Sequence, residues 1–374
     1  FYNSGSIYPT VLASVEEPVI FRDFRIARLS IFPIRYSPER NEIEAISSIT
    51  VPVNYGMGNG TNNKISPRRK ITPSFAKLYK SIIFNYNEVM QSRYNNLIEG
   101  HDKMLCIMPD AFVNTFQSYK NWKQKTGIEV IVKKFSDIGA NGNNPEIIKN
   151  YILSFLISSI DPPTHILLVG DAGVAPHKDW SSPYDGYTFP NEDYFVELDG
   201  NDYFPEMIIG RFTNQEDYRL QVMVNKFINY EKYPERINNS WYKKGIVCSN
   251  DQYQSQIDTK RYTANIMRED GNFISVDTMM SKPNCLYSVS DVVAAINDGR
   301  SYLNYRGEGW SDGWWASCTP VKTSHINGLN NGKKLTFVTS IGCGVAMFTT
   351  TGDANCFGEA WIELGTPTQP RGGV

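Results

Sequence analysis

Histidine is scarce in this chain, with four residues among 374. Six cysteines are spread along the sequence without a CxxC pair or zinc-like spacing, which excludes a structural zinc module. No apolar run approaches the roughly 18 residues that a transmembrane helix needs. The net charge of −2 gives no sign of a nucleic-acid or anionic-membrane partner. The chain begins at Phe1 without a signal-peptide pattern, so any targeting segment is expected to lie outside this sequence.

The chain divides into four regions by pattern. Residues 1–55 alternate apolar and polar types and predict an all-β segment, the final strands of a β-sandwich. The Gly- and Asn-rich stretch 56–72 predicts an exposed linker, and its basic Arg68 to Lys70 either suits a trypsin-like cut or is simply solvated. Residues 73–234, entered by a helix, and 235–374 each alternate strands with helices. That alternation predicts largely parallel sheets covered by helices on both faces.

Single elements follow from the apolar pattern. Pro73 to Tyr94 predicts one helix, entered at its proline. Lys103 to Met108 and His165 to Gly170 predict buried strands. Cys106 and Cys248 lie inside such apolar runs and are expected to be buried thiols. The sequence stops after a turn where a further strand would be expected, so it is predicted to be a fragment.

One cysteine stands apart from this pattern. Leu335 to Ile341 predicts a buried strand that delivers Cys343, flanked by Gly342 and Gly344, to a tight turn. Ser301 to Tyr305 predicts a second strand, followed by Arg306-Gly307-Glu308-Gly309. Because ligands bind at the carboxyl ends of strands in open α/β sheets, the two turns predict a site containing Cys343 and Glu308.

Several of these stretches resemble the gingipain-type cysteine peptidases, peptidase family C25. They are His165 to Asp171, Gly200 to Phe212, and the pair Asn304 to Gly309 with Ile341 to Cys343. Their order and spacing fit the family from about residue 100 onward. Residues 1–55 resemble the last strands of the family's propeptide domain.

The resemblance implies a caspase-like α/β/α sandwich of two subdomains, preceded by a small all-β segment. It implies a bacterial protein, secreted or on the cell surface, made as a zymogen with an intramolecular propeptide-like domain. The implied substrate is a protein or peptide, and no cofactor is required. Calcium binding is also implied, for which the acidic residues of the 192–202 loop are the candidates: Asp193, Asp199 and Asp202.

The resemblance further makes Cys343 the nucleophile, with the backbone N–H groups of Gly309 and Cys343 at the oxyanion. The family's catalytic histidine is replaced here by Glu308. A carboxyl group of ordinary pKa, about 4.3, that takes a proton from a thiol of about 8.5 faces roughly 6 kcal/mol. A carboxylate also does not stabilise a thiolate as an imidazolium does. We therefore expect either a weakened peptidase or an inactive homologue that serves as a binding or assembly module.

Two further groups of residues are candidates with open alternatives. His177 follows a predicted strand at the same sheet edge and is either a spare catalytic base or a solvated loop histidine. Trp310, Trp314 and Trp315 follow the Glu308 turn and either wall a substrate cleft or pack beneath the loop.

Overall fold

The computed structural model describes residues 5–54, 60–64, 70–93, 100–140, 144–280, 285–349 and 355–374. Much of the predicted linker, with Arg68 and Arg69 of the predicted trypsin site, lies outside the described residues. The chain forms two compact units. Unit 1 comprises Phe1–Asp102, Lys149–Thr164 and Asp193–Ile208, and unit 2 comprises Lys103–Ile148, His165–Glu192 and Ile209–Val374. The domain boundaries inferred from the sequence stay predictions.

The strands of unit 1 form antiparallel pairs of two, which confirms an all-β N-terminal segment; its membership of a β-sandwich stays a prediction. The pairs are β1 (Ala13–Val15) with β4 (Leu29–Ile31), β2 (Val19–Phe21) with β3 (Phe24–Ile26), and β5 (Ile34–Ser37) with β6 (Glu42–Ala45).

Two helices follow where the sequence predicted one. They are α1 (Pro73–Ile82) and α2 (Tyr86–Arg93). Ile83 adopts an extended backbone and Phe84 is fully exposed, so the helical pattern is interrupted there. The helices supply Phe75, Tyr79 and Tyr86 to an aromatic core shared with the β2–β3 hairpin.

The next stretch of chain builds a four-stranded sheet in the order β12-β9-β7-β8, with β7 parallel to both β8 and β9. The predicted strands Lys103 to Met108 and His165 to Gly170 are confirmed, and Phe112, Phe116 and Tyr119 are buried. In chain order the elements are β7 (Lys103–Met108), α3 (Val113–Lys125), β8 (Glu129–Lys134), α4 (Phe135–Ile138), α5 (Pro145–Ser158), β9 (His165–Val169), β10 (Asp179–Ser181), β11 (Thr188–Pro190), β12 (Ile208–Phe212) and α6 (Asp217–Lys232).

The last stretch builds a second four-stranded sheet, β14-β13-β15-β18, in which every neighbouring pair is parallel. Its elements are β13 (Lys244–Ser249), α7 (Gln254–Glu269), β14 (Ser275–Met280), α8 (Val289–Asp298), β15 (Tyr302–Arg306), β16 (Gly309–Trp310), β17 (Gly313–Trp314), α9 (Thr323–Asn327), β18 (Phe337–Ile341) and α10 (Phe357–Glu363). No helix among the described residues is long and apolar enough to cross a membrane.

Candidate active site

The two glycine-flanked turns lie at the same edge of the second sheet. Strands β15 and β18 are parallel neighbours in which Arg306 is opposite Ile341. Glu308 and Cys343 each follow their strand by two residues, so they occupy equivalent places at its carboxyl end. Gly307 bonds its N–H to the Ile341 carbonyl oxygen at 3.0 Å, which continues the pairing into the turns.

Glycines allow the backbones of the two turns to touch. A Cβ atom on Gly309 would lie 3.5 Å from the Cys343 carbonyl oxygen and 2.6 Å from a Val345 methyl carbon. A Cβ atom on Gly342 would lie 3.0 Å from the Gly307 carbonyl oxygen. Side chains at these glycines would push the turns apart, so the glycine pattern seen in the sequence has a direct steric reason.

The Glu308 turn is braced through its backbone. The Glu308 carbonyl oxygen accepts the Tyr305 hydroxyl at 2.5 Å and the Trp315 N–H at 2.9 Å. Asn250 binds the Arg306 carbonyl with its backbone N–H and the Trp315 carbonyl with its side-chain amide, at 3.1 and 2.7 Å. Asn250 was missed by the sequence analysis, although its place directly after β13 at this edge is a usable signal.

A buried polar cluster joins the two strands below the turns. Lys260 of α7 donates to the side-chain oxygen of Asn304, whose amide donates to the Tyr302 and Thr339 hydroxyls at 3.1 and 2.5 Å. Burial, with a smaller effect of Arg306, lowers the pKa of Lys260 to about 8. This cluster fixes the register of β15 against β18 and therefore the relative position of the turns.

Cys343 is exposed, whereas Cys106, Cys248 and Cys356 are buried. The predicted burial of Cys106 and Cys248 is therefore confirmed. Burial raises the pKa of all three buried thiols, for Cys248 to about 12. Of the free cysteines, Cys343 is the accessible one.

The two remaining cysteines form a disulfide that the sequence analysis did not anticipate. Cys285 and Cys318 are bonded, and they close a loop of 33 residues that contains β15 and the Glu308 turn. Closing such a loop restricts the unfolded chain and thereby stabilises the segment that carries the turn.

His177, the candidate spare base, lies in the segment between β9 and β10. His177 has its Nε2 atom 3.6 Å from an Asp179 carboxylate oxygen, and its ring is 6.4 Å from that of Phe348. His325 accepts the Lys322 N–H at 3.0 Å, at the start of α9. His165 begins β9, at the amino end of that strand. A catalytic role for His177 stays a prediction.

The three tryptophans after the turn have different surroundings. Trp314 is fully buried, stacks on Tyr305 at 4.2 Å and donates to Ser340, so of the two alternatives it follows the one in which the ring packs beneath the loop. The β16–β17 hairpin turns its ring into the core, and a run of tryptophans in sequence does not reveal that alternation. Trp315 is 51% exposed and Trp310 is half-buried.

Two of the three acidic residues suggested for calcium, Asp199 and Asp202, have other partners in unit 1. The Asp202 carboxylate accepts the N–H groups of Ile20 and Phe204, and Asp199 lies 3.6 Å from the Lys64 ammonium. Throughout the described ranges, no group of three or more acidic, histidine or cysteine side chains is arranged to hold a metal. Calcium binding stays a prediction from the resemblance.

A parallel sheet with an exposed thiol at its ligand-binding edge places the chain among α/β proteins with a cysteine-centred site. Comparison with models of protein families identifies the family. Residues 99–367 match the model of peptidase family C25, and residues 1–94 match that of the C25 propeptide. The chain therefore belongs to peptidase family C25, as the sequence motifs indicated.

Individual relatives are distant. Gingipain R2 of Porphyromonas gingivalis is 24% identical over 381 residues, covering 100% of this chain and 49% of the relative. Lys-gingipain HG66 of the same species is 24% identical over 94% of this chain and 20% of its own length. The chain thus spans about half the length of the first relatives, or less.

Solved structures confirm the caspase-like fold. The crystal structure of the Arg-specific cysteine proteinase gingipain R has a TM-score of 0.63 at 23% identity, covering 73% of this chain and 61% of that one. The complex of RgpB pro- and mature domains gives 0.62 at 24% identity, over 73% and 62% of the two chains. At this identity the likeness establishes the fold alone.

Proposed function

We propose that this chain is a gingipain-like cysteine endopeptidase, or its zymogen, that hydrolyses peptide bonds through Cys343. The observation that carries the proposal is the parallel register of β15 and β18, with Arg306 opposite Ile341. That register sets the exposed thiol beside the second glycine-flanked turn, where the family has its catalytic histidine. Glu308 stands at that position, so we expect the activity to be weak.

In this mechanism the Cys343 sulfur attacks the substrate carbonyl carbon, and the carbonyl oxygen becomes an oxyanion. Backbone N–H groups of Gly309 and Cys343 would stabilise it. The contacts of the Glu308 turn support this role for Gly309. Gly307 donates toward β18, while the Glu308 carbonyl accepts from Trp315 on the other side. Gly309 itself lies against the Cys343 turn, because a Cβ atom on it would be 3.5 Å from the Cys343 carbonyl oxygen.

Glu308 limits the chemistry of this site. A thiolate needs a neighbouring positive charge, and a glutamate supplies either a neutral acid or a second negative charge. The same observation favours the alternative function, in which the chain is an inactive homologue that binds or assembles with a partner.

We further propose that the protein acts outside the cytoplasm of a bacterium. The Cys285–Cys318 disulfide supports an oxidising compartment. Within unit 1, the N-terminal segment binds the 193–208 loop through Ile20 to Asp202 and through Lys64 to Asp199. These contacts support an intramolecular propeptide that remains attached in the zymogen.

Labelling with a peptidyl chloromethyl ketone separates the two functions. A peptidase should form an adduct on Cys343, located by mass spectrometry, and should hydrolyse a casein substrate. Cys343→Ser should abolish both. Hydrolysis that survives Cys343→Ser would contradict the assignment of the nucleophile. Neither labelling nor hydrolysis by the wild type, while iodoacetamide still modifies Cys343, would favour the binding module.

A further inference from the structure

Four aromatic side chains of unit 2 form a connected cluster around Trp310, which we call the aromatic ladder: Trp315, Trp310, Tyr187 and Phe189. The centroid of the Trp310 ring lies 6.5 Å from Trp315, 5.1 Å from Tyr187 and 6.2 Å from Phe189. The last two residues come from the β10–β11 hairpin.

Trp310 of the aromatic ladder lies against Gly344, the residue that follows the proposed nucleophile Cys343. A Cβ atom on Gly344 would lie 3.0 Å from a ring carbon of Trp310, and Gly344 has a φ of +67°. A glycine is therefore required for the indole to lie against the Cys343 turn. The ring therefore lies one residue from the proposed nucleophile.

Much of the ladder surface is open. Tyr187 is 53% exposed and Trp315 is 51% exposed, on either side of the half-buried Trp310. The Tyr187 and Phe189 rings meet Trp310 at 65° and 75°, which is the edge-to-face geometry of aromatic clusters. Rings held in this way lose little conformational entropy when another apolar side chain joins them.

We propose that the aromatic ladder is a substrate subsite for an aromatic or large aliphatic side chain adjacent to the scissile bond. An apolar side chain would bury apolar surface there and has no polar group to desolvate, whereas a guanidinium or ammonium group would lose hydration. The ladder would then direct cleavage to apolar segments of protein substrates. The inference rests on the proposed function, because it takes Cys343 as the attacking group.

Cleavage of a mixed peptide library, followed by mass spectrometry, tests the preference. We expect wild-type kcat/KM to be about tenfold higher for peptides with Phe, Leu or Tyr beside the cut than for those with Arg, Lys or Asp. Tyr187→Ala should lower kcat/KM for the apolar peptides about tenfold, mainly through KM. Tyr187→Phe should retain it. The matched control is Tyr184→Ala, on the same hairpin and 96% exposed, which should behave as the wild type.

Binding is measured separately in a Cys343→Ala background by calorimetry with the same Phe, Leu and Arg peptides. The apolar peptides should bind tighter than the Arg peptide, and Tyr187→Ala should weaken them about tenfold. If the wild type proves inactive but this binding pattern holds, the proposed peptidase function fails and the subsite stands. A preference for Arg or Lys, equal cleavage of all peptides, equal effects of Tyr187→Ala and Tyr184→Ala, or no measurable binding would each overturn the subsite.

Discussion

Replacing Arg22 by alanine should greatly increase the equilibrium constant for local opening of unit 1. Arg22 lies at the two-residue turn between β2 and β3 with a φ of +47°, yet it is 1% exposed. Its guanidinium donates to the carbonyl oxygens of Pro163 at 3.0 Å, Glu206 at 2.7 Å and Pro162 at 3.3 Å. The same group lies 4.6 Å from the centroid of the Phe75 ring. One side chain thus holds the hairpin to two other segments of the unit.

The size of the effect follows from these contacts. Removing the donor of a buried hydrogen bond leaves its acceptor unsatisfied, at about 1–3 kcal/mol for each group. Three carbonyls lose a charged donor, and the buried Asp23 carboxylate loses a neighbour whose nearest nitrogen is 3.7 Å away. Breaking a buried charged contact of this kind typically costs about 3–5 kcal/mol. The local opening equilibrium should therefore rise by a factor of about 10² to 5 × 10³.

Hydrogen–deuterium exchange with peptide-level mass spectrometry measures that equilibrium. Peptides that cover residues 18–26 and 193–208 should lose protection in Arg22→Ala, and to a smaller extent in Arg22→Lys, which retains the charge but not the fork of donors. The control is Arg28→Ala, because the Arg28 side chain is 74% exposed in its ion pair with Glu16. Exchange in Arg22→Ala within about threefold of that control would refute the reasoning.

Three other predictions address the site and the pH dependence. Glu308→His should raise both Cys343 alkylation at neutral pH and peptide hydrolysis, by about tenfold or more, because an imidazolium stabilises the thiolate. In the native wild type, iodoacetamide should modify Cys343 well before Cys248, whose thiol is buried. Burial raises the pKa of Glu206 to about 7, so its native state holds its proton more tightly than the unfolded chain. This group's contribution to stability should fall as pH rises from about 4.5 to 7, and Glu206→Gln should flatten that dependence in chemical denaturation.

Each of these three predictions has a matched control or a result that would contradict it. Glu308→Gln should change little, and loss of a robust wild-type activity in that variant would make Glu308 a true base. Alkylation of Cys248 as fast as Cys343 would contradict the prediction that Cys343 is the selectively reactive thiol. For Glu206, the Gln oxygen can still accept the Leu198 and Asp199 N–H groups, which lie 2.7 and 3.0 Å from the carboxylate. An unchanged pH slope in that variant would show that Glu206 does not titrate in this range.

The strands and helices of unit 2 could be predicted because their apolar periodicity is strong. Lys103–Met108 matches the predicted strand at both ends, and the Cys343 strand was placed within two residues. The predicted helix at Pro73 was less accurate, since the break at Ile83 depends on how Tyr79 and Tyr86 both reach one core. The apolar periodicity of a sequence shows which residues face the core, but it does not show where one helix ends and the next begins.

The candidate site was predictable to the extent that its signals were local. Glycine-flanked turns after strands located Glu308 and Cys343 because chain direction alone fixes the sheet edge. Asn250, the Cys285–Cys318 disulfide and the β10–β11 hairpin depend on contacts between distant segments. Trp314 shows the same limit, because which tryptophan turns inward is decided by the pairing of a two-residue hairpin.

The frame of the Glu308 turn does not depend on the side chain at its centre. Tyr305 and Trp315 bind the Glu308 carbonyl oxygen, and Asn250 binds the neighbouring backbone of Arg306. A histidine at position 308 would receive the same backbone contacts. A change of the side chain at position 308 can therefore alter the chemistry of the thiol and leave the geometry of the turns in place. For the same reason, Glu308→His tests the proton-transfer role of that position with little disturbance of the fold.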